Sequence, residues 1–258
     1  MDLGQLKPEY YRDYAIALAY NGLTDKAREV LQTAIDQGLE EDSVYYVKGE
    51  IENNLNNKEN ALQEFQNCLN VSDDDYVRMR AYMMMSKIYE SENNMEANRN
   101  ILLEGKTSLP VSQQILLLER LAQADINLAE SSGDESYYLE AIDVFKEIID
   151  QNWGTYETYD NLAVLYQKLG NSEEVLNTLQ QMVTLYGEDY NILKRYAFLE
   201  IAKQESLSNE QRDYASFADY YERATQMYES QQNGNETDLE MSLLHDIYFQ
   251  VVAGGWVD

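Results

Sequence analysis

The residue types that most often carry catalysis are scarce in this sequence. It contains one histidine, His245, and one cysteine, Cys68, in 258 residues. A Ser–His–Asp arrangement or a histidine-rich metal site would have to use His245 alone. We interpret His245 as a structural or solvent-facing residue. A single cysteine excludes an intrachain disulfide and a multi-cysteine metal site, and we interpret Cys68 as a packing residue.

Carboxylates, in contrast, are abundant. The run Ser72 to Asp75 contains three consecutive aspartates, but it lacks the spacing of a calcium loop. We interpret it instead as an acidic turn that caps the following helix. The sequence has no G-x-G-x-x-G pattern or other phosphate-binding loop. We therefore expect no enzymatic activity, no cofactor and no metal, while an enzyme on a helical scaffold remains the alternative.

The charge balance restricts the partners. The chain has 19 Lys and Arg residues against 47 Asp and Glu residues, a formal net charge of −28. Nucleic-acid binding requires clustered cations that displace counterions, so it is excluded, and an anionic membrane surface is disfavoured. No apolar run is long enough to insert into a membrane, and the N-terminus shows no signal peptide. The cytoplasm is favoured, with an extracytoplasmic part of a membrane protein as the alternative.

The apolar residues follow helical spacing, most clearly between residues 156 and 189. One face of a first helix carries Tyr159, Leu162, Ala163, Tyr166 and Leu169. Gly170 can end this helix in the left-handed conformation, and Asn171 and Glu174 have the spacing of a capping box. A second helix carries Val175, Leu176, Leu179, Met182 and Val183. Such a hairpin cannot bury its apolar face alone and requires similar hairpins beside it.

Similar hairpins are predicted along the whole chain. Ala27 and Ala61 are 34 residues apart, as are Ala141 and Val175. We predict a single solenoid over residues 1–258, with repeats at 8–41, 42–75, 77–109, 110–153, 156–189 and 190–228 and a capping helix at 239–252. Core positions are predicted to include Tyr11, Tyr14, Ala15 and Leu18 in the first repeat, Ala97 and Ile101 in the third, and Leu243, Leu244, Ile247 and Val251 in the capping helix.

These units resemble the tetratricopeptide repeat, a helix–turn–helix unit of 34 residues. In the fifth unit, Leu162-Ala163, Tyr166 and Leu169-Gly170 occupy the family's positions for Leu-Gly, the aromatic residue and the turn. Glu52 and Glu200 depart from the family's aromatic position, and no unit ends in the usual proline. The resemblance implies an all-α, right-handed superhelical solenoid whose first helices line a concave groove. In this family that groove commonly binds an extended peptide or a helix of another protein.

Transferring the groove positions of similar repeats to this sequence gives a set of candidate partner-binding residues. They are Arg12, Ile16, Tyr20, Tyr46, Glu50, Asn53, Asn54, Arg80, Met83, Lys87, Glu90, Glu119, Gln123, Asp160, Val164, Gln167, Lys168, Lys194, Phe198 and Ile201. Arg80 and Lys87, with Arg78 nearby, form a local cationic cluster that predicts an acidic feature of the ligand. Ile16 and Val47 replace the asparagines with which chaperone-tail-binding members hold a terminal carboxylate, so that clamp is not expected.

The function that we predict is a non-catalytic scaffold that binds a protein or peptide segment, with a monomer favoured. A narrower alternative is the sensory or docking region of a larger bacterial signalling protein. Some membrane-bound serine/threonine kinases of Gram-positive bacteria end in similar repeats, and the sequences at 221–224 and 254–256 resemble such tails. A self-assembling structural array is a third reading.

Overall fold

The regular structure is helical throughout the described parts of the chain. A computed structural model describes residues 7–39, 42–231 and 238–257. Thirteen α-helices and two 3₁₀ turns, at Val111–Gln113 and Asn209–Gln211, lie in these ranges, with no strand among them. The α-helices are α1 Pro8–Tyr20, α2 Thr24–Asp36, α3 Asp42–Asn54, α4 Lys58–Val71, α5 Asp75–Ser91, α6 Met95–Ser108, α7 Ile115–Ser132, α8 Ser136–Asp150, α9 Tyr156–Lys168, α10 Ser172–Tyr186, α11 Tyr190–Glu205, α12 Ala215–Gln231 and α13 Leu239–Ala253. The predicted all-α class is confirmed.

The chain divides into two compact units. Unit 1 is Met1–Ile148 and unit 2 is Ile149–Asp258. In unit 1, α1 packs on α2, α3 on α4 and α5 on α6, and the first helices α1, α3 and α5 contact one another in order. In unit 2, α9 packs on α10 and α11 on α12, and α13 packs on both α11 and α12. Five antiparallel helical hairpins therefore build the two units, and in unit 1 helix α7 packs on α6.

Glycines and short polar residues lie at the ends of the helices. Gly22 and Gly170 have φ angles of 73° and 69°, and Asn56 and Asn93 adopt the same left-handed conformation after α3 and α5. The Asp74 carboxylate accepts hydrogen bonds from two backbone N–H groups at the start of α5, which confirms the predicted capping role of the acidic run. The Asn171 side chain accepts from the backbone N–H of Glu174, as predicted. A complete capping box forms at Thr155 and Thr158, which the sequence did not indicate.

One packing pattern recurs in the second helix of every hairpin and in α8. Three residues at positions i, i+4 and i+7 are buried in each of these helices. The triads are Ala27, Leu31 and Ala34; Ala61, Phe65 and Cys68; Asn98, Leu102 and Gly105; Ala141, Phe145 and Ile148; Val175, Leu179 and Met182; and Phe217, Tyr221 and Ala224.

Two glycines allow hairpins to pack closely. A Cβ atom added to Gly49 would lie 2.8 Å from the Phe65 ring, and one at Gly105 would lie 3.0 Å from Tyr82 and 3.1 Å from Leu117. Gly49 therefore brings α3 against α4 within the second hairpin. Gly105 brings α6 against both α5 and α7.

Several predicted core positions are wrong. Tyr14 and Leu243 are 48% and 52% exposed, because the buried stripe on each helix is narrower than the predicted one. Leu176 is 41% exposed for the same reason. Ala97 is half-buried, and Asn98 takes the core position in its place. The core positions of the third hairpin differ from the predicted ones because α5 is longer than the other first helices of this region. It has 17 residues, whereas α1 and α3 have 13 each.

Buried polar residues replace apolar ones at three helix–helix contacts. The Arg28 guanidinium forms a two-pronged hydrogen bond with the Glu52 carboxylate, which is 3% exposed and stands where the family has an aromatic residue. Ser86 donates a hydrogen bond of 2.6 Å to Asn98. Asp125 accepts one of 2.5 Å from the Arg99 guanidinium. These pairs satisfy the polar groups that packing removes from water.

Candidate ligand-binding face

The first helices of unit 1 carry an open pocket of about 450 Å³. It lies where α1, α3 and α5 run side by side, and we call this surface the first-helix face. Its lining is largely apolar, with polar groups from Tyr20, Glu50 and Asn54. The lining residues are Ile16, Ala19, Tyr20, Val47, Glu50, Ile51, Asn54 and Met84. A pocket of this composition suits an apolar side chain whose neighbouring backbone can form hydrogen bonds.

A tyrosine, an arginine and a glutamate form a cluster beside the pocket. The Arg80 guanidinium lies 4.3 Å from the centre of the Tyr46 ring, a cation–π arrangement, and 3.9 Å from the Glu50 carboxylate. Tyr46 itself is 6% exposed and packs edge-on against Phe65, with ring centres 5.4 Å apart. The cluster therefore connects the pocket lining to the buried core of the α3–α4 hairpin.

Burial controls the charge states in this cluster. It raises the pKa of Tyr46 to about 12, with Glu50 adding to the shift and Arg80 opposing it, so the phenol is neutral at pH 7. Burial also raises the pKa of Glu50, and Arg80 opposes that shift. Arg80 keeps a side chain that is 44% exposed, which leaves its donors accessible to a ligand.

The structure brings together several residues that the sequence nominated separately. Ile16, Tyr20, Glu50 and Asn54 all line the pocket, and Tyr46 and Arg80 lie alongside it. The methionine at the pocket is Met84 rather than Met83, since α5 presents a different side from the predicted one. Sequence reasoning also missed Ala19, whose small side chain leaves space in the pocket.

Other nominated residues of unit 1 lie outside the pocket. Arg12 donates a hydrogen bond to Ser43 in the next first helix. Lys87 is exposed on α5, and Arg78 lies 3.4 Å from Asp75, so the predicted cationic cluster is partly neutralised by its own helix. The remaining candidates in this unit are half-buried or exposed and are not among the residues that line the pocket: Asn53, Met83, Glu90, Glu119 and Gln123.

In unit 2, helix α13 occupies part of the nominated surface. The Lys194 ammonium ion-pairs with Asp238 and Glu240 at 2.9 and 2.7 Å, and this lysine is 8% exposed. Phe198 packs against the core that Ile201 and α13 share. Asp160 accepts hydrogen bonds from Arg195. Gln167 and Lys168 are exposed on α9, and Val164 is half-buried there.

The residues with potential chemistry have structural contacts. The Tyr221 hydroxyl and His245 Nδ1 share a hydrogen bond of 2.6 Å. Cys68 is fully buried, and burial, with Asp42 adding to the effect, raises the pKa of its thiol to about 12. Within residues 7–39, 42–231 and 238–257, no three His, Cys, Asp or Glu side chains converge to hold a metal ion. No helix in those ranges combines the length and apolar character of a membrane span.

Hairpin stacking, inward triads and a surface of first helices define a helical repeat protein. The sequence model of the tetratricopeptide repeat matches residues 42–75, which are also the predicted bounds of the second repeat. The resemblance inferred from the sequence is thereby confirmed. Proteins with tetratricopeptide repeats are generally non-catalytic scaffolds that bind protein or peptide partners.

Solved structures share this fold. The C-terminal part of a TPR repeat-containing protein from Cytophaga hutchinsonii superposes with a TM-score of 0.63 at 13% identity, covering 93% of this chain and 88% of that one. PilF of Pseudomonas aeruginosa gives a TM-score of 0.51 at 13% identity, covering 93% of this chain and 97% of that one. At these identities the likeness concerns the fold alone. No curated protein sequence matches the chain.

Proposed function

We propose that the first-helix face of unit 1 binds a peptide segment of another protein, and that the pocket between α1, α3 and α5 receives one apolar side chain of that segment. The observation that carries this proposal is the lining of the pocket. Ile16, Val47, Ile51 and Met84 supply apolar surface, while Glu50 and Asn54 supply polar groups that can form hydrogen bonds with a peptide backbone.

The cluster beside the pocket supports a preference in the ligand. Arg80 is half-exposed and held by the Tyr46 ring, so it can offer a bidentate donor with little further loss of side-chain freedom. Lys87 adds a second exposed cation on the same helix. We therefore infer that a carboxylate near the apolar anchor residue strengthens binding. Charge-reversed Arg80→Glu/Lys87→Glu would weaken binding of such a peptide and leave a carboxylate-free peptide unaffected.

A test of the pocket uses a substitution that fills it. Random peptides of about twelve residues would be selected on the wild-type chain, and their affinities measured by fluorescence polarisation. Ala19→Phe places a ring in the pocket, whereas Ala17→Phe adds the same ring to an exposed position of the same helix. Excluding one apolar side chain forfeits roughly 1.5–3 kcal/mol of burial, which predicts at least a roughly ten-fold weaker affinity for Ala19→Phe.

Ala17→Phe is expected to bind like the wild type. Two results would contradict the proposal: selection that enriches no peptide, or enriched peptides that bind Ala19→Phe as tightly as Ala17→Phe. Thermal melting of both variants separates loss of the pocket from loss of the fold.

A further inference from the structure

Helix α13 exposes four large apolar side chains on the side that faces away from its own core, where Ser242, His245, Asp246 and Gln250 are also exposed. Its inner side contributes Met241, Leu244 and Val251 to the core formed with α11 and α12. Its outer face carries Leu239, Leu243, Phe249 and Val252, which are 79, 52, 57 and 38% exposed. A helix that is apolar on all sides is normally covered on all sides, whereas a helix that ends a stack has a polar outer surface.

The outer face also carries fewer charged residues than is typical of this highly charged protein. Of the charged residues of α13, Glu240 is paired with Lys194, which leaves Asp246 among the exposed apolar side chains. Glu222 of α12 accepts a hydrogen bond from Tyr248 of α13, and the cation on α12, Arg223, is taken up by Glu188 and Asp219.

This distribution of charge decides between the partners that could cover the face. A second copy of the chain would bring its own Asp246 and Glu222 close to the same residues, and each copy carries a net charge of −28. A partner with cations beside its apolar residues meets attraction instead of repulsion. The element that fits beside a helix in a stack of helices is another helix, whose ridges pack into the grooves of the first.

We propose that the outer face of α13, defined by Leu239, Leu243, Phe249 and Val252, docks an amphipathic helix of a partner protein, with lysines or arginines flanking its apolar stripe. This surface belongs to unit 2 and is a second binding site, beyond the peptide pocket of unit 1. The apolar stripe of the partner covers the exposed leucines and phenylalanine. The flanking cations pair with Asp246 and Glu222.

The test uses a fluorescein-labelled peptide of about eighteen residues, with leucines at helical spacing and lysines on both flanks. A second peptide has glutamates in place of the lysines, and a third has the lysine peptide's composition in scrambled order. Binding to the full chain is measured by fluorescence polarisation at low and high salt. Leu243→Ser/Phe249→Ser removes apolar surface from the face, and Leu139→Ser/Leu185→Ser removes two leucines of similar exposure, 55% and 57%, elsewhere.

We expect the lysine peptide to bind the wild type and Leu139→Ser/Leu185→Ser equally, and Leu243→Ser/Phe249→Ser at least ten-fold more weakly. Binding should weaken as salt increases and should persist in Ala19→Phe, which separates this surface from the pocket. Equal binding of the two serine pairs, equal binding of the glutamate or scrambled peptide, or a wild-type dimer that Leu243→Ser/Phe249→Ser converts to monomer in light scattering would each overturn the proposal.

Discussion

The close approach of α3 and α4 at Gly49 makes the packing of the hairpins testable in energetic terms. Alanine at position 49 would place a methyl group 2.8 to 3.0 Å from three atoms of the Phe65 ring, which is fully buried. Overpacking of this kind costs roughly 1–3 kcal/mol. Alanine gains about 1 kcal/mol over glycine in a helix interior, which offsets part of that cost. Gly49→Ala is therefore expected to lower the free energy of unfolding by about 1 kcal/mol, within a range of about 0–2 kcal/mol.

The companion substitution Phe65→Leu removes the ring atoms that the methyl group would meet. Alone it leaves a cavity and costs about 2 kcal/mol. Combined with Gly49→Ala, the clash disappears and the gain in helix propensity remains. The double variant should consequently be more stable than the sum of the single effects by about 2 kcal/mol.

The assay is urea unfolding followed by far-ultraviolet circular dichroism for the wild type, the two single variants and the double variant. Gly105→Ala combined with Phe65→Leu is the control, since the Cβ at position 105 would meet Tyr82 and Leu117 instead. That pair should be additive within about 0.5 kcal/mol. Additivity of the Gly49 and Phe65 pair as well would refute the proposed contact between α3 and α4.

Three further predictions concern buried polar groups. Glu52→Ala should lower the free energy of unfolding at pH 7 by about 2 kcal/mol, less than a fully buried pair would lose, because the Arg28 side chain is 36% exposed. Burial opposes ionisation of Glu52, but hydrogen bonds from Asn57 and Arg28 outweigh it and lower its pKa. This stabilisation is therefore present above the usual carboxyl pKa and lost as pH falls through the folded-state pKa. Urea unfolding below about pH 4 should consequently show a smaller difference in the free energy of unfolding between the variant and the wild type. Asp125 behaves oppositely: burial outweighs Arg99 and raises its pKa from 3.8 to about 6, so its folded form holds a proton more tightly than its unfolded form. Its contribution should decline by up to about 3 kcal/mol as pH rises from about 4 to 6, and Asp125→Asn should remove that slope from a series of urea unfolding curves. Cys68 is buried and its thiol has a pKa of about 12, so iodoacetamide at pH 8 should leave the native chain unmodified and label it fully in urea, as read by intact mass; rapid labelling without urea would contradict the burial.

Helical periodicity was sufficient to predict the order of the hairpins and several of their ends. The second repeat was predicted at 42–75, and α3 and α4 occupy 42–54 and 58–71 within it. Gly22 and Gly170 follow the last turns of their helices because the backbone there is left-handed, a conformation that strongly favours glycine. Such signals depend on neighbours within a few residues, which a sequence shows directly.

The errors arose where contacts between hairpins decide the outcome. Tyr14 fits a helical stripe beside Tyr11, but none of the helices in the described ranges covers it. The burial of Asn98 could not be predicted from its polar side chain, because it depends on the hydrogen bond from Ser86 of another helix. Glu52 was noted as a departure from the family pattern, and its partner, Arg28, lies in the preceding hairpin.

The candidate site was predictable in part for the same reason. The nominated positions Ile16, Glu50 and Asn54 do line one pocket, because equivalent positions of successive first helices face the same way. The ion pair between Lys194 and Asp238 at the start of α13 could not be predicted, since it depends on how the last helix packs. The exposed outer face of α13 follows equally from that packing.

The most direct test of peptide binding at the first-helix face is to locate the bound peptide. A peptide selected on the wild-type chain would carry a photoreactive benzoylphenylalanine in place of its apolar anchor, and the adducts would be mapped by mass spectrometry after irradiation. We predict adducts on α1, α3 and α5, at residues such as Ile16, Val47 and Met84, and their loss in Ala19→Phe. Adducts confined to α2 and α4, or to unit 2, would contradict the account.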